Sequence, residues 1–157
     1  MQEHTSIEGI FNRHMKTVYK VCYSFLGNAA DAEDATQQVF MKLVDKPRAF
    51  TDEDHERAWL IVCARNLCKD VLKSAARTRR ADMPEDVVDA SAKAEGDDLL
   101  QAVLALPEMY RECIYLHYYE GYSTAEIATM CDAPPSTVRN RLADGRAMLK
   151  KALGGER

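Results

Sequence analysis

Apolar residues recur at spacings of three, four and seven along most of this 157-residue chain. The alternation that marks strands and the paired turn residues that close hairpins are missing. The first run puts Ile7, Ile10, Phe11, Val18, Val21, Cys22 and Phe25 on one helical face, and Gly27-Asn28 ends it. A second helix is predicted from about Asp31. Its stripe is Ala32, Ala35 or Thr36, Val39, Phe40 and Leu43, and Lys46-Pro47 stops it. After a polar, acid-rich loop over 47–56, a long helix runs from about Glu56 toward Arg77. Its buried stripe is expected at Ala58, Ile61, Val62, the stem of Arg65, Cys68, Val71, Leu72 and Ala75. The other face carries Asn66, Lys69, Asp70 and Lys73 and leads into Arg77, Arg79 and Arg80.

Residues 81–98 are small, acidic and weakly periodic, the pattern of a linker. Periodicity returns with Leu99, Leu100, Val103, Leu104 and Leu106 before Pro107, and a further helix is predicted over Glu108–Tyr119, closed by Gly121. Two short helices follow within Ser123–Leu149. Ser123 or Thr124 is the cap of the first, and Glu126 stands at capping-box distance from Ser123. Asp132 suits the turn, Pro134-Pro135 restarts the helix, and Ser136 or Thr137 is its expected cap. The fold class is therefore all-α: two small helical domains, residues 1–80 and 99–157, joined by an acidic linker over 81–98.

Charge changes the picture only when it is divided along the chain. The net value of −4 looks wrong for a nucleic-acid binder. Residues 65–80, however, hold six Lys or Arg against one Asp, a net of +5, and residues 134–157 hold six against two acids, a net of +4. The stretch 81–98 holds one Lys and seven acids, a net of −6. Two basic patches flank an acidic bridge, and basic patches rather than the net value are the footprint of nucleic-acid contact.

The five cysteines are odd in number and form no C-x-x-C pair, and the four histidines do not cluster with them. Buried, reduced thiols are expected and no metal site is. No cofactor is called for: nucleophile–base sets and glycine-rich phosphate loops are missing, which leaves an enzyme unsupported. Neither a membrane span nor a secretory leader is visible, so a cytoplasmic location is expected.

The chemistry lies in the last helix. Val138, Leu142 and Leu149 share a stripe that must be buried, leaving Arg139, Asn140, Arg141 and Arg146 largely on the outer face. Such a helix fits a major groove, where Arg and Asn read base edges or pin phosphates.

Three segments carry a family resemblance. Residues 31–44, Asp-Ala-Glu-Asp-Ala-Thr-Gln-Gln-Val-Phe-Met-Lys-Leu-Val, resemble the polymerase-binding segment of bacterial sigma-70 factors. Residues 58–73, from Ala-Trp-Leu-Ile-Val-Cys-Ala-Arg-Asn onward, resemble the next block of that family. Leu106-Pro-Glu-Met-Tyr-Arg-Glu, Tyr119-Glu-Gly-Tyr-Ser and Glu126-Ile-Ala are similar to its C-terminal DNA-binding region. Their order and size resemble the extracytoplasmic-function group, which keeps only regions two and four.

The resemblance implies a factor that brings core RNA polymerase to promoters and helps open the duplex. It implies that Asp31, Asp34, Gln37, Gln38 and Phe40 face the clamp helices of the β′ subunit, with the β flap and an anti-sigma factor as further partners. It implies that Asn66, Lys69, Lys73 and Arg77 hold the −10 region, and that Ser136, Thr137, Arg139, Asn140, Arg141 and Arg146 hold the −35 region of promoter DNA. Trp59, the lone tryptophan, is expected in the core beside the apolar stripe. Asp144 departs from the basic residue usual at its position, so an unusual −35 preference, or weak reliance on that element, is expected. The competing reading is a stand-alone helix-turn-helix regulator, which would have no use for the amide-rich helix at 31–44.

Overall fold

The computed structural model describes residues 6–81 and 98–154, and every regular element among them is helical. The chain divides into two units, residues 1–89 and 90–157. The acidic bridge expected over 81–98 lies outside the described residues except at its two ends.

In the first unit α1 spans Ile7–Leu26, α2 Ala29–Asp45 and α3 Glu53–Ala81. Local chemistry sets each boundary. The Ser6 hydroxyl accepts from the Gly9 amide at 2.9 Å to start α1. Gly27, at φ 79°, ends it by donating its own N–H to the Tyr23 carbonyl at 2.8 Å. α2 begins two residues before the expected Asp31 because Asn28 is the cap, its side chain accepting from the Asp31 amide at 2.9 Å. α3 likewise begins early: Asp52 accepts from the His55 amide at 2.8 Å, and Glu53, Asp54 and Glu56 place three carboxylates in the first turn, where the helix dipole favours them.

Ile10, Val18, Val21, Cys22 and Phe25 of α1 close on Ala32, Ala35, Val39, Phe40 and Leu43 of α2 and on Leu60, Ile61, Ala64 and Cys68 of α3. On α3 this stripe is turned from the expected one. Leu60 and Ala64 are buried while Ala75 is exposed, because α1 and α2 cover only the first half of a helix that runs on to Ala81.

In the second unit α4 spans Asp98–Leu104, α5 Glu108–Ile114, α6 Thr124–Cys131 and α7 Pro135–Gly154. The helix expected over Glu108–Tyr119 is α-helical only to Ile114. Residues Tyr115–Tyr119 form a π-helical turn, with Glu120 N–H reaching back five residues to Tyr115 O at 3.2 Å. The wider turn stacks Tyr115 on Tyr119 at 5.0 Å between centroids, nearly parallel at 5°. Gly121, at φ 81°, then reverses the chain.

Ser123 accepts from the Glu126 amide at 3.1 Å and Glu126 from the Ser123 amide at 2.8 Å, so the capping box is complete. Ser123→Ala is expected to cost the second unit about 1 kcal/mol, read as a shift of its denaturation midpoint. Asp132 adopts the left-handed conformation at φ 57°, ψ 50°. Ser136 and Thr137, expected as caps of α7, lie inside its first turn. Pro135 is the first helical residue, and the Pro134 carbonyl accepts from Thr137 and Val138.

Val103, Leu106, Ile114, Leu116, Ile127, Ala128, Val138 and Leu142 fill this core. Leu149, expected in it, is only half-buried. Arg111 donates to the Leu104 and Leu106 carbonyls at 3.2 Å, closing the end of α4, and burial lowers its pKa from the ordinary arginine value.

Candidate nucleic-acid interface

Three helical faces carry the exposed polar chemistry. On α7, Val138, Leu142 and Gly145 point into the core. At about 100° per residue, the opposite face is built from Ser136, Asn140, Ala143, Asp144 and Ala147, all exposed. Arg139 is exposed beside them and Arg141 is half-buried on the other flank. Arg146 lies toward the edge of the packed face and donates to the Tyr118 hydroxyl at 3.1 Å. Thr137 is half-buried. Four of the six residues expected on this face are therefore exposed, and Thr137 and Arg141 are half-buried.

On α3 the residues Asn66, Lys69, Lys73 and Arg77 fall within an arc of about 80°, with Asn66, Lys73 and Arg77 exposed and Lys69 half-buried. Trp59 lies on that same arc and not in the core where it was expected; it is only half-buried. Its packing is local. Phe50, from the loop before α3, meets it at 5.7 Å, and the Arg48 guanidinium sits over both rings, 5.0 Å from Trp59 and 5.7 Å from Phe50. His55 abuts Phe50 edge-on at 5.1 Å and accepts the Thr51 N–H on Nδ1 at 3.0 Å, which fixes the loop. Arg48, Phe50 and His55 escaped the sequence reading. Their one signal was two cyclic side chains and an Arg within reach of the chain's only Trp.

On α2, Asp31, Asp34, Gln37 and Gln38 are exposed. Phe40 does not join that exposed face; its ring turns inward, as its place in the apolar stripe predicts. It is buried, packing edge-on against Phe11 at 4.9 Å, because a phenyl ring at the α1–α2 seam removes more apolar surface from water there than on the outer face. Asp31 also accepts the Asn28 side-chain amide at 2.9 Å, so it helps hold the helix start. Met41, 54 % exposed, and Val44, 45 % exposed, continue the outer face instead.

A buried polar cluster ties α1 to the start of α3. Glu56 is 4 % exposed. Arg13 grips it with Nε at 3.1 Å from Oε1 and Nη2 at 2.9 Å from Oε2, and His14 Nε2 donates to Oε1 at 2.9 Å. Forty-two residues separate His14 from Glu56, so no local motif announced the cluster. The cysteines are unbridged thiols, four of them buried and Cys63 half-buried. A hydrogen bond with Cys22, then burial, pushes the Cys68 thiol up. Cys131 donates to the buried Glu112 carboxylate at 2.8 Å. Among the described residues no group of three His, Cys, Asp or Glu is placed to hold a metal ion, and no helix is long and apolar enough to cross a membrane.

The second unit also has an apolar groove of about 410 Å³, lined by Leu99, Val103, Ile114, Tyr118, Tyr119, Leu149 and Leu153 and rimmed by Arg146 and Lys150.

Comparison with known proteins finds the same two parts. Residues 10–78 match the family model for sigma-70 region 2, and residues 96–149 match the model for sigma-70, region 4. The extracytoplasmic-function (ECF) RNA polymerase sigma factor SigL of Mycobacterium tuberculosis is 30 % identical over 145 residues, spanning 87 % of this chain and 82 % of SigL. The ECF RNA polymerase sigma factor SigW of Bacillus subtilis is 30 % identical over 154 residues, with the same two coverages. Among solved structures, the sigma factor RpoE from Bartonella quintana, captured with the anti-sigma factor NepR, superposes with a TM-score of 0.76 over 94 % of this chain and 96 % of RpoE. At 21 % identity, that match speaks to the fold.

Proposed function

The chain belongs to the sigma-70 family, in its extracytoplasmic-function group, and from this premise we propose how its faces divide the work of starting transcription. As an RNA polymerase sigma factor it directs the core enzyme to specific promoters, a role that leaves the stand-alone regulator without support.

The outer face of α2 docks on the clamp helices of the polymerase β′ subunit through Asp34, Gln37 and Gln38, with Met41 and Val44 beside them. The supporting observation is that pair of exposed apolar side chains on an otherwise polar helix whose inner face is fully packed. Phe40 supports the face from behind. The α3 arc, with Asn66, Lys69, Lys73 and Arg77, holds the backbone of the −10 region. Trp59 and Phe50, on the same side, offer a stacking surface to an unpaired base. The outer face of α7, with Ser136, Thr137, Arg139, Asn140 and Arg141, enters the major groove at the −35 element, and Arg146 lies at its margin. The apolar groove of the second unit suits an amphipathic helix, and we assign it to the β flap. An anti-sigma factor is a further partner, as NepR is for RpoE. Work beside the polymerase supports a cytoplasmic location.

The test is assembly with purified core polymerase on a sizing column. The chain is expected to co-elute. Met41→Glu combined with Gln38→Ala is expected to weaken assembly by about tenfold or more while thermal unfolding stays unchanged, since neither side chain is in the core. Undiminished assembly would overturn the assignment of α2.

A further inference from the structure

The outer face of α7 is not uniformly cationic. Ser136, Asn140 and Asp144 follow one another at one-turn intervals along its middle, each about 40° from the last. Arg139 flanks this ridge on one side and Arg141 on the other, with Arg146 further round. The exposed alanines Ala143 and Ala147 lie beside it, so the helix surface is low there and its backbone can approach closely. Flanking arginines suit the two phosphate backbones that border a major groove about 12 Å wide, and a ridge of short polar side chains suits the base edges between them.

Asp144 is the anomaly on this surface. It is exposed, and no hydrogen bond or ion pair engages it among the described residues, although Arg141 stands one turn away. A carboxylate there opposes phosphate binding and adds nothing to the packing of α7. It lies on the ridge between the flanking arginines, where a side chain can meet base edges. A carboxylate is purely an acceptor, and in the major groove the exocyclic amine of cytosine is the donor it matches.

We propose that Asp144 is a specificity-determining residue that selects a cytosine in the −35 duplex, through its N4 amine, within two base pairs of the one met by Asn140. This rests on α7 being the −35 reader. Asn140 and Asp144 are about 6 Å apart along the helix axis, close to two base-pair steps. The preferred cytosine therefore falls one or two pairs from the position that Asn140 reads.

The experiment is selection by the complete protein, assembled with core polymerase, from a promoter library randomised across the −35 element. Wild type, Asp144→Asn and Asp144→Ala are compared, and all selected sequences are counted. Wild type is expected to favour cytosine about tenfold or more at one position. Asp144→Ala should flatten that position alone, leaving the rest of the element intact. Asp144→Asn, which can donate as well as accept, should shift the preference there toward adenine. Replacing the selected cytosine by N4-methylcytosine should weaken wild type and leave Asp144→Ala unaffected. If Asp144→Ala binds every sequence more tightly and keeps all preferences, the carboxylate only repels phosphate and the proposal falls. If wild type assembles with polymerase yet selects no −35 sequence, the assignment of α7 falls and the proposal with it.

Discussion

Replacing Glu56 with alanine is expected to destabilise the first unit by about 3–5 kcal/mol. The carboxylate is almost fully buried, takes a bidentate grip from Arg13 and a further hydrogen bond from His14, and joins the middle of α1 to the first turn of α3. Its removal takes the carboxylate from the buried His14 and leaves Arg13, whose side chain is partly exposed, to its longer contact with Glu53 at 3.6 Å. The loss should therefore exceed that of any surface ion pair, which contributes about 0–1 kcal/mol. Glu56→Gln keeps the shape and one acceptor oxygen, so a smaller loss is expected. Trp59, the only tryptophan, lies in this unit, three residues beyond Glu56, and its fluorescence reports the unfolding directly. A loss below about 1 kcal/mol in urea titration would show that water reaches the cluster. Function should suffer as well, since the same turn of α3 anchors the loop carrying Arg48 and Phe50.

Gly145→Val is expected to cost the second unit about 3 kcal/mol and to abolish −35 binding while assembly with core polymerase persists through α2, weakened by the loss of the groove. A β-carbon on residue 145 would stand 2.8 Å from Ile114 Cγ1 and 3.1 Å from its Cδ1, inside contact distance of a side chain that is itself fully buried. Glycine inside a helix ordinarily costs about 0.5–1 kcal/mol relative to alanine, so its presence here answers a need for close approach of α5 to α7. Gly145→Ala gains the helix propensity and meets the same clash, so a smaller net loss is expected. Circular dichroism of the variants, with binding to a −35 duplex and co-elution with polymerase, checks both parts. A valine variant as stable as wild type would show that Ile114 has room to move.

The local signals in the chain carried far. The boundaries at Gly27 and Lys46-Pro47 and the Ser123–Glu126 box follow from backbone rules that act within four residues, and the structure places them where the spacing put them. The α3 arc and the exposed row on α7 were also legible, because helical period alone decides which side chains share a face.

What the sequence by itself determined is the all-helical class and the exposed positions of the charged faces; what it could not determine is which of several apolar or polar candidates found a partner. Phe40 lies in the apolar stripe of α2 and is buried against Phe11 as the spacing predicts, whereas Trp59, beside the stripe of α3, is left half-buried with Phe50 and Arg48 against its ring. The pairing of His14 and Arg13 with Glu56, the widening of the helix at Tyr115–Tyr119 and the contact of Gly145 with Ile114 join residues that local spacing does not relate, or depend on such contacts. Tertiary structure decided them because burial is settled by which surfaces meet, and a helix's own periodicity says only which surface it offers.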